Sequence, residues 1–311
     1  MRTVPGSVAL RCRYSRAMNS PLRTPYDGSS RLFQIGLKPL DPAAWIDVDE
    51  RLAADLAEKD RLAETNWPDI FAAEPDTIDA QTEVLAELVS HLTRHFPEIY
   101  RTIDGAMDVA GQRVPLDDAP PLWTAARLVQ EDLVLMRRDE SGWRLVAGAV
   151  CFPSSWRLAD KVGRPMHDVH APVPGFGAAT RNAELITRMF DNMRAETGML
   201  RWNWSVYGDD ALFHPHDSPP RRFGAGERAE NVFLRVERQT LRRLPVSRDI
   251  LFTIRIAVDP LAELEQHSDA ARIGASLRDQ LLALDAMQID YKGLTLERDR
   301  LVARLNEIAT A

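Results

Sequence analysis

Cysteine is almost absent from this chain: the 311 residues contain Cys12 and Cys151 alone, and neither belongs to a Cys-x-x-Cys pair. Disulfide-stapled folds, zinc ribbons and iron–sulfur clusters held by one chain all require several cysteines at close spacing. The sequence therefore argues against these three classes. A chain with so few thiols suits the cytoplasm, which we expect to be its compartment.

An excess of basic charge is also missing. The 39 Lys and Arg residues are outnumbered by 46 Asp and Glu residues, giving a formal charge of -7 and a pI near 5.6. A protein that binds nucleic acid through its phosphate backbone normally carries a basic face. No apolar run approaches the roughly 20 residues needed to cross a bilayer. We therefore expect neither nucleic acid nor membrane as a partner.

Nucleotide-binding motifs are lacking as well. The sequence has no Gly-x-Gly-x-x-Gly stretch and no Walker pattern, so no recognisable motif in this chain binds NAD(P)H or flavin. It has no Gly-x-Ser-x-Gly nucleophile elbow either. Motifs of these kinds therefore leave the reaction open.

The first 30 residues differ from the rest, because Arg2, Arg11, Arg13 and Arg16 come before any acidic residue. A secretory signal peptide needs a longer apolar stretch than this segment offers, whereas an Arg-rich transit peptide remains an alternative. We predict that residues 1–30 form a disordered leader, or that translation starts later, since Met18 is available.

Periodicity predicts an α+β fold. Helical spacing at residues 46–62 and 79–96 precedes strand-like segments at 132–136, 143–152, 202–206, 231–237 and 250–258, with a helix near 185–193 between them. The total is about five antiparallel strands, interrupted by one helix and a long Pro/Gly-rich loop. Residues 31–260 are predicted to form the main domain. Residues 261–311 are predicted to be helices that pack on it or on a partner.

Histidines are the first candidates for ligands of a metal. His91 and His95 lie one turn apart on a predicted helix, but no Glu follows His91 directly, and the pair of His214 and His216 lacks an identifiable third ligand. His170 follows a long loop that prolines stiffen, which lowers the entropic cost of holding a side chain in place. The chemistry leaves two roles open for His170: a ligand, or a structural hydrogen bond.

Three further features are candidates for a site. Cys151 follows a strongly apolar run, so it is either a small core residue or a thiolate ligand. The segment Arg201-Trp202-Asn203-Trp204 combines a cation and an amide with two indoles, which suits either a half-exposed strand or a polar pocket. The segment Glu237-Arg238-Gln239-Thr240 is either a charged strand end followed by a surface turn or the carboxylate-bearing mouth of a pocket.

The order of these segments resembles one known family, the haem-dependent oxidative N-demethylases. The resemblance spans roughly residues 33–260, and the stretches that carry it are Val129-Gln130-Glu131-Asp132-Leu133, Ala147 to Trp156, Asp160-Lys161-Val162-Gly163, Val169-His170-Ala171-Pro172-Val173-Pro174, Arg201 to Trp204 and Glu237 to Pro245. Val162 and Val169 stand where isoleucine is more typical of the family, which is a small change. Six stretches in this order are specific to the family and much less specific to its activity.

The resemblance implies a PAS-like antiparallel sheet that holds haem b, with helical additions at both ends. It implies oxidation of a methyl group on a small secondary amine by dioxygen, with release of formaldehyde. Electrons would come from NADPH through FMN and a [2Fe-2S] cluster carried by a partner reductase subunit. Such a division of labour agrees with the absence of cysteine clusters and nucleotide motifs from this chain.

The resemblance also implies residue roles. His170 matches the family's His-x-Pro-Val-Pro position and is the predicted haem ligand, while Arg201 and Glu237 match its arginine and glutamate positions in the pocket that binds oxygen and substrate. Contacts to the cofactor are further predicted for a set of neighbours of these residues, namely Asn203, Arg238, Thr240, Trp156 and Lys161.

Two other functions compete with the enzyme. Many haem-bearing PAS domains are gas or redox sensors, but a sensor needs an output element, and no sustained heptad pattern follows residue 260. The second alternative is a haem-free ligand-binding subunit of the same fold.

Overall fold

The computed structural model describes residues 22–215, 223–226 and 228–311. Most of the predicted leader, residues 1–21, lies outside this range. Residues 22–30, however, are folded against the body: Tyr26 is 1 % exposed and meets Trp204 edge-on at 6.1 Å, and Arg23 forms ion pairs with Asp47 and Asp49. The prediction of disorder up to residue 30 is therefore wrong for this last part.

Helices and strands follow the predicted order closely. The helices are α1 (Leu52–Ile70), α2 (Ile78–His95), α3 (Pro121–Ala126), α4 (Met166–Val169), α5 (Arg181–Asn192), α6 (Leu261–Leu264), α7 (Ala270–Leu282), α8 (Ala286–Tyr291) and α9 (Arg298–Thr310). The strands are β1 (Lys38–Pro39), β2 (Phe71–Ala73), β3 (Tyr100–Ile103), β4 (Ala106–Val109), β5 (Gln112–Pro115), β6 (Asp132–Asp139), β7 (Gly142–Ala149), β8 (Met199–Tyr207), β9 (Phe233–Arg243) and β10 (Ile250–Pro260).

The predicted α+β class is confirmed. Within the described residues, a seven-stranded sheet runs in the order β1-β8-β9-β10-β6-β7-β2, and every neighbouring pair is antiparallel. The strands predicted from alternation form its centre, whereas the short edge strands β1 and β2 were not predicted. Strand β9 also continues to Arg243, so the surface turn that was one of two interpretations of the residues after Thr240 does not begin there.

A second, three-stranded sheet was missed entirely. Strands β3, β4 and β5 form a meander whose tight turns lie at Asp104-Gly105 and Ala110-Gly111. All four turn residues have positive φ, between 47° and 79°, as two-residue hairpin turns of this hand require. The Asp-Gly pair was the available signal, but the strands have only four residues each.

Helices cover the seven-stranded sheet in separate groups. Helices α1, α2 and α3 share an apolar cluster with β6, β7 and β10. The C-terminal helices α7 and α9 bury Leu277, Leu301 and Leu305 in a cluster with Trp204 and Val236. Helices α4 and α5 form a third cluster with Leu241 of β9. The C-terminal helices therefore contribute to the core next to β8 and β9.

A buried ammonium group fixes the start of β6. Lys59 of α1 is fully buried, and its Nζ donates to the carbonyl oxygens of Ala126, Val129 and Glu131 at 3.1, 2.9 and 2.6 Å. Because these bonds join α1 to the chain just before β6, Lys59 holds the helical layer against the sheet.

We expect Lys59→Met to lower the free energy of unfolding by about 3 kcal/mol or more, because three buried carbonyl oxygens lose their donor. Urea titration followed by circular dichroism measures this change. Lys38→Met is the matched control, since exposed Lys38 donates to a single carbonyl oxygen, that of Ser29. Equal stability of the two variants would contradict the anchoring role of Lys59.

Candidate functional site

Strands β8 and β9 bring four polar side chains onto one face of the sheet. In their antiparallel register Asn203 lies opposite Glu237, and Arg201 lies opposite Gln239. Residues directly opposite each other in a sheet point to the same side, and alternate residues of one strand do so too. The two strands therefore present a cation, a carboxylate and two amides as one compact patch.

The carboxylate of Glu237 is held in place by both amides. Its side chain is 7 % exposed, and its Oε2 accepts hydrogen bonds from Asn203 Nδ2 at 3.2 Å and from Gln239 Nε2 at 2.6 Å. Two donors on one oxygen fix the orientation of the carboxylate. Its Oε1 is left to interact with other groups.

Arg201 keeps unused hydrogen-bonding capacity in the interior. One terminal nitrogen donates to the carbonyl oxygen of Gln34 at 3.3 Å, while Arg201 Nε is buried and has no partner in the protein. Burial lowers the pKa of Arg201, and the nearby Glu237 carboxylate raises it. The Oε1 atom of Gln239, the register partner of Arg201, is also buried without a partner. Buried polar atoms of this kind are rare in native proteins and call for a ligand, ion or water.

His170 lies directly after α4, at the end of its single turn. Its Nδ1 is 3.0 Å from the carbonyl oxygen of Met166, and since a carbonyl only accepts, Nδ1 carries the proton. The lone pair is then on Nε2, as in imidazoles that bind metals. Burial lowers the pKa of His170 to about 4, opposed by the bond to Met166, so the ring is neutral at neutral pH.

The loop that carries His170 is held by two side chains, Lys161 within the loop and Arg235 on β9. Lys161 Nζ donates to the carbonyl oxygen of Val169 at 2.7 Å, next to His170 itself. Further back along the loop, fully buried Arg235 of β9 donates to the Phe152 carbonyl at 2.8 Å and to Ser154 Oγ at 2.9 Å. The loop is thus fixed to the same face that carries Glu237.

Asp132 at the start of β6 holds the beginning of that loop. Its carboxylate accepts from the backbone nitrogens of Cys151 and Phe152 at 2.8 and 3.0 Å. Burial raises the pKa of Asp132 to about 6, against the opposing effect of Lys59. Asp132 is therefore an internal brace between the start of β6 and the loop.

Two further residues join the site from the C-terminal helices. Lys292 is 7 % exposed, and its Nζ donates to the Trp204 carbonyl at 2.8 Å and to Ser205 Oγ at 3.1 Å. Burial lowers the pKa of Lys292 to about 8, while Glu237 raises it and Arg201 lowers it further. The pKa of Tyr291 is raised to about 12 by burial and then by Glu237. Both residues were missed because nothing in their local sequence marks them.

The charges of the predicted site residues act on one another's pKa values, so these residues lie close together. The charge of Arg201 acts on the pKa of His170, and the charge of Glu237 acts on the pKa of Arg201. Trp156, which is partly buried, packs against the apolar cluster that contains Leu241. The structure therefore places His170, Arg201 and Glu237 in one neighbourhood, together with Asn203 of β8.

Arg238 and Thr240 face the opposite side of the sheet. Arg238 donates to the carbonyl oxygens of Ala44 and Trp45, and Thr240 Oγ1 lies 2.6 Å from Thr253 Oγ1. Alternation along β9 accounts for this: if Glu237 faces the site, its even-numbered neighbours face away. The predicted contacts of Arg238 and Thr240 with a cofactor therefore gain no support from their placement.

The alternative ligands occupy other environments. The rings of His91 and His95 are tilted to each other with centroids 4.6 Å apart, and His91 also meets Trp45 edge-on at 5.0 Å. His214 Nε2 lies 3.0 Å from Asp209, while His216 lies outside the described residues. Cys151 is fully buried, and burial raises the pKa of its thiol, as suits a core residue. Among the described residues, no group of three or more His, Cys, Asp or Glu side chains is placed to hold a metal ion.

Two surface grooves are separate from this neighbourhood. One, of about 520 Å³, is lined by residues that include His167, Glu184 and Arg188. The other, of about 440 Å³, lies on the opposite face and includes Arg23, Trp202 and Arg238. In the part of the chain that the structure describes, no helix is both long and apolar enough to cross a membrane.

Comparison with known protein families gives one match. The model of the family described as haem-dependent oxidative N-demethylase, alpha subunit-like, matches residues 36–302. This range includes all the residues of the polar patch and His170. It also extends past residue 260 to Tyr291 and Lys292, further than the motif resemblance had reached.

Proposed function

The chain belongs to the haem-dependent oxidative N-demethylase, alpha subunit-like family, and from this premise we propose that it binds haem b and demethylates a small methylated amine. The observation that carries the proposal is the meeting of a neutral imidazole, a guanidinium and a fixed carboxylate on one face of the sheet. Three segments far apart in sequence supply these groups, which suits a functional cluster better than a local structural one.

The donor set fits haem. Nδ1 of His170 donates to the Met166 carbonyl at 3.0 Å, so Nε2 offers its lone pair to iron, and the backbone bond holds the ring in place. The buried Arg201 Nε without a protein partner supports a second contact, either to a haem propionate or to bound oxygen. We assign the iron to His170. Lys161 and Trp156 are assigned to the wall of the haem site.

When bound, haem supplies the activation of dioxygen: one oxygen atom enters a C–H bond of the N-methyl group, the other leaves as water, and two electrons and two protons are consumed. The resulting carbinolamine breaks its C–N bond to give formaldehyde and an amine with one methyl group fewer. The protein has to bind the amine next to the haem, keep it oriented and provide a route for protons.

Glu237 performs the binding step in this proposal. An alkylammonium ion carries its charge at nitrogen, and a buried carboxylate pairs with it strongly because solvent screening is weak there. Asn203 and Gln239 hold Glu237 Oε2, which leaves Oε1 for the ammonium group. Once the substrate loses a proton to reach the reactive free amine, the same carboxylate is placed to accept it.

Electrons have to come from outside the chain. The family description names an alpha subunit, so a partner subunit is expected. We propose that the partner carries FMN and a [2Fe-2S] cluster and draws on NADPH, because Cys151, fully buried in the core, is the one cysteine that the described residues contain.

Absorbance spectroscopy and a formaldehyde assay test the proposal together. The purified protein, supplied with haem, is expected to show a Soret band and to release formaldehyde from dimethylamine with a chemical or enzymatic reductant. Haem binding without formaldehyde release from any methylated amine would refute the proposed demethylase activity and favour a sensor. Absence of a Soret band after reconstitution would overturn the haem assignment itself.

A further inference from the structure

In the side chain of Gln239, one polar atom is hydrogen-bonded and the other is not. Its Nε2 donates to Glu237 Oε2 at 2.6 Å, whereas its Oε1 is buried and has no partner in the protein. The two ends of an amide are easily interchanged in coordinates, but here chemistry decides: only the NH₂ end donates to a carboxylate oxygen. Oε1 is therefore an acceptor left in the interior.

The surroundings of Gln239 Oε1 suit a bound ligand. Gln239 is 7 % exposed and shares a face with Arg201, Asn203 and Glu237. Arg201 Nε is the neighbouring buried donor without a partner, yet the two groups do not bond to each other. Leaving a buried acceptor unpaired carries a free-energy penalty, so an acceptor retained at this place suits a ligand that brings its own donor.

We propose that Gln239 is a specificity-determining residue, which presents Oε1 as a second acceptor beside Glu237 for an ammonium group carrying two N–H bonds. The inference rests on the proposed function, since it assumes that an amine binds to Glu237. A dialkylammonium ion has two N–H donors, one for Glu237 Oε1 and one for Gln239 Oε1. A trialkylammonium ion has one, and a tetraalkylammonium ion has none.

Counting donors against acceptors gives an order of affinity. The secondary ammonium ion satisfies both acceptors and binds most tightly. The tertiary ion leaves Gln239 Oε1 unpaired, and sites built to hydrogen-bond a group discriminate strongly against analogues that lack it. The quaternary ion leaves both unpaired and binds most weakly.

The test measures dissociation constants for dimethylamine, trimethylamine and tetramethylammonium by calorimetry and by the shift of the haem spectrum, without turnover. We expect Gln239→Met to weaken the binding of dimethylamine about tenfold more than the binding of trimethylamine, because one hydrogen bond to a charged donor is lost. Asn203→Leu is the matched control, since Asn203 also donates to Glu237 Oε2. It should weaken both N–H-bearing amines equally.

A second variant guards against a fold defect. Gln239→Asn keeps an amide, with both its donor and its acceptor, at this position, so it should retain more of the preference for dimethylamine than Gln239→Met does. If Gln239→Met weakened the binding of dimethylamine and trimethylamine equally, Gln239 would only support Glu237. The inference would then fail while the proposed function stood. If the unaltered protein binds haem but none of the amines, the proposed function and the inference fall together.

Discussion

His170→Ala is expected to lose its haem: after reconstitution the variant should show little or no Soret band above that of free haem. The reason is geometric as well as chemical. The imidazole is neutral because burial lowers its pKa to about 4, and its Nδ1 is tied to the Met166 carbonyl, so Nε2 is presented ready for iron. Removing a partner that merely orients a metal ligand already costs about 10–100-fold in affinity. We expect removal of the ligand itself to cost roughly 100-fold or more.

His167→Ala is the matched control for this variant. His167 lies on α4, one turn before His170, but its side chain is about half exposed and is paired with Asp168. The haem spectrum of His167→Ala should be unchanged. Added imidazole should restore the Soret band in His170→Ala, because it replaces the missing ring, and such a rescue separates ligand loss from misfolding. Full haem occupancy of His170→Ala with an unaltered spectrum would remove His170 from the iron.

Glu237→Gln is expected to keep its haem and lose most of its turnover. The substitution preserves size, but it replaces the charge that pairs with an alkylammonium ion by a neutral amide. Its carbonyl oxygen still accepts from Asn203 and Gln239, which now share Glu237 Oε2, so its NH₂ group replaces Oε1 and meets the N–H donors of the ammonium ion. Loss of a positioned base or of its charge reduces rates by about 100-fold to 10,000-fold in enzymes. We expect a loss of roughly 100-fold in kcat/KM for formaldehyde release.

Glu184→Gln provides the comparison for this second variant. Glu184 is an exposed carboxylate on α5, at the groove of about 520 Å³, away from β8 and β9. It should release formaldehyde at the unaltered rate. If Glu237→Gln did the same with its Soret band in place, Glu237 would have no part in the reaction, and the amine would have to bind elsewhere.

Much of the sheet was predictable from short-range patterns. The alternation in residues 202–206, 231–237 and 250–258 correctly predicted the central strands β8, β9 and β10. The same alternation also predicts which side chains of β9 share a face of the sheet. Once Glu237 is assigned to the site, a period of two assigns Gln239 to the same face and Arg238 and Thr240 to the other.

Other parts of the site had no local signal. Lys292 reaches the carbonyl of Trp204, 88 positions earlier in the chain, because α8 and the C-terminal helices fold back beside β8. A lysine near the end of a short amphipathic helix is normally solvated, so nothing in residues 286–292 distinguishes it. The brace formed by Lys59 and the segment before β6 is of the same long-range kind.

The sequence by itself determined the central strands of the large sheet, the main helices, the α+β class, the order of the family's motifs and the histidine that follows the proline-stiffened loop. These properties depend on neighbours in the chain, through hydrophobic period and backbone stiffness. Only the tertiary structure decided which polar groups meet. The register of β8 against β9 paired Arg201 with Gln239 and Asn203 with Glu237, and the fold-back of α8 added Tyr291 and Lys292. Register and fold-back are set by packing between distant segments, which no local pattern encodes.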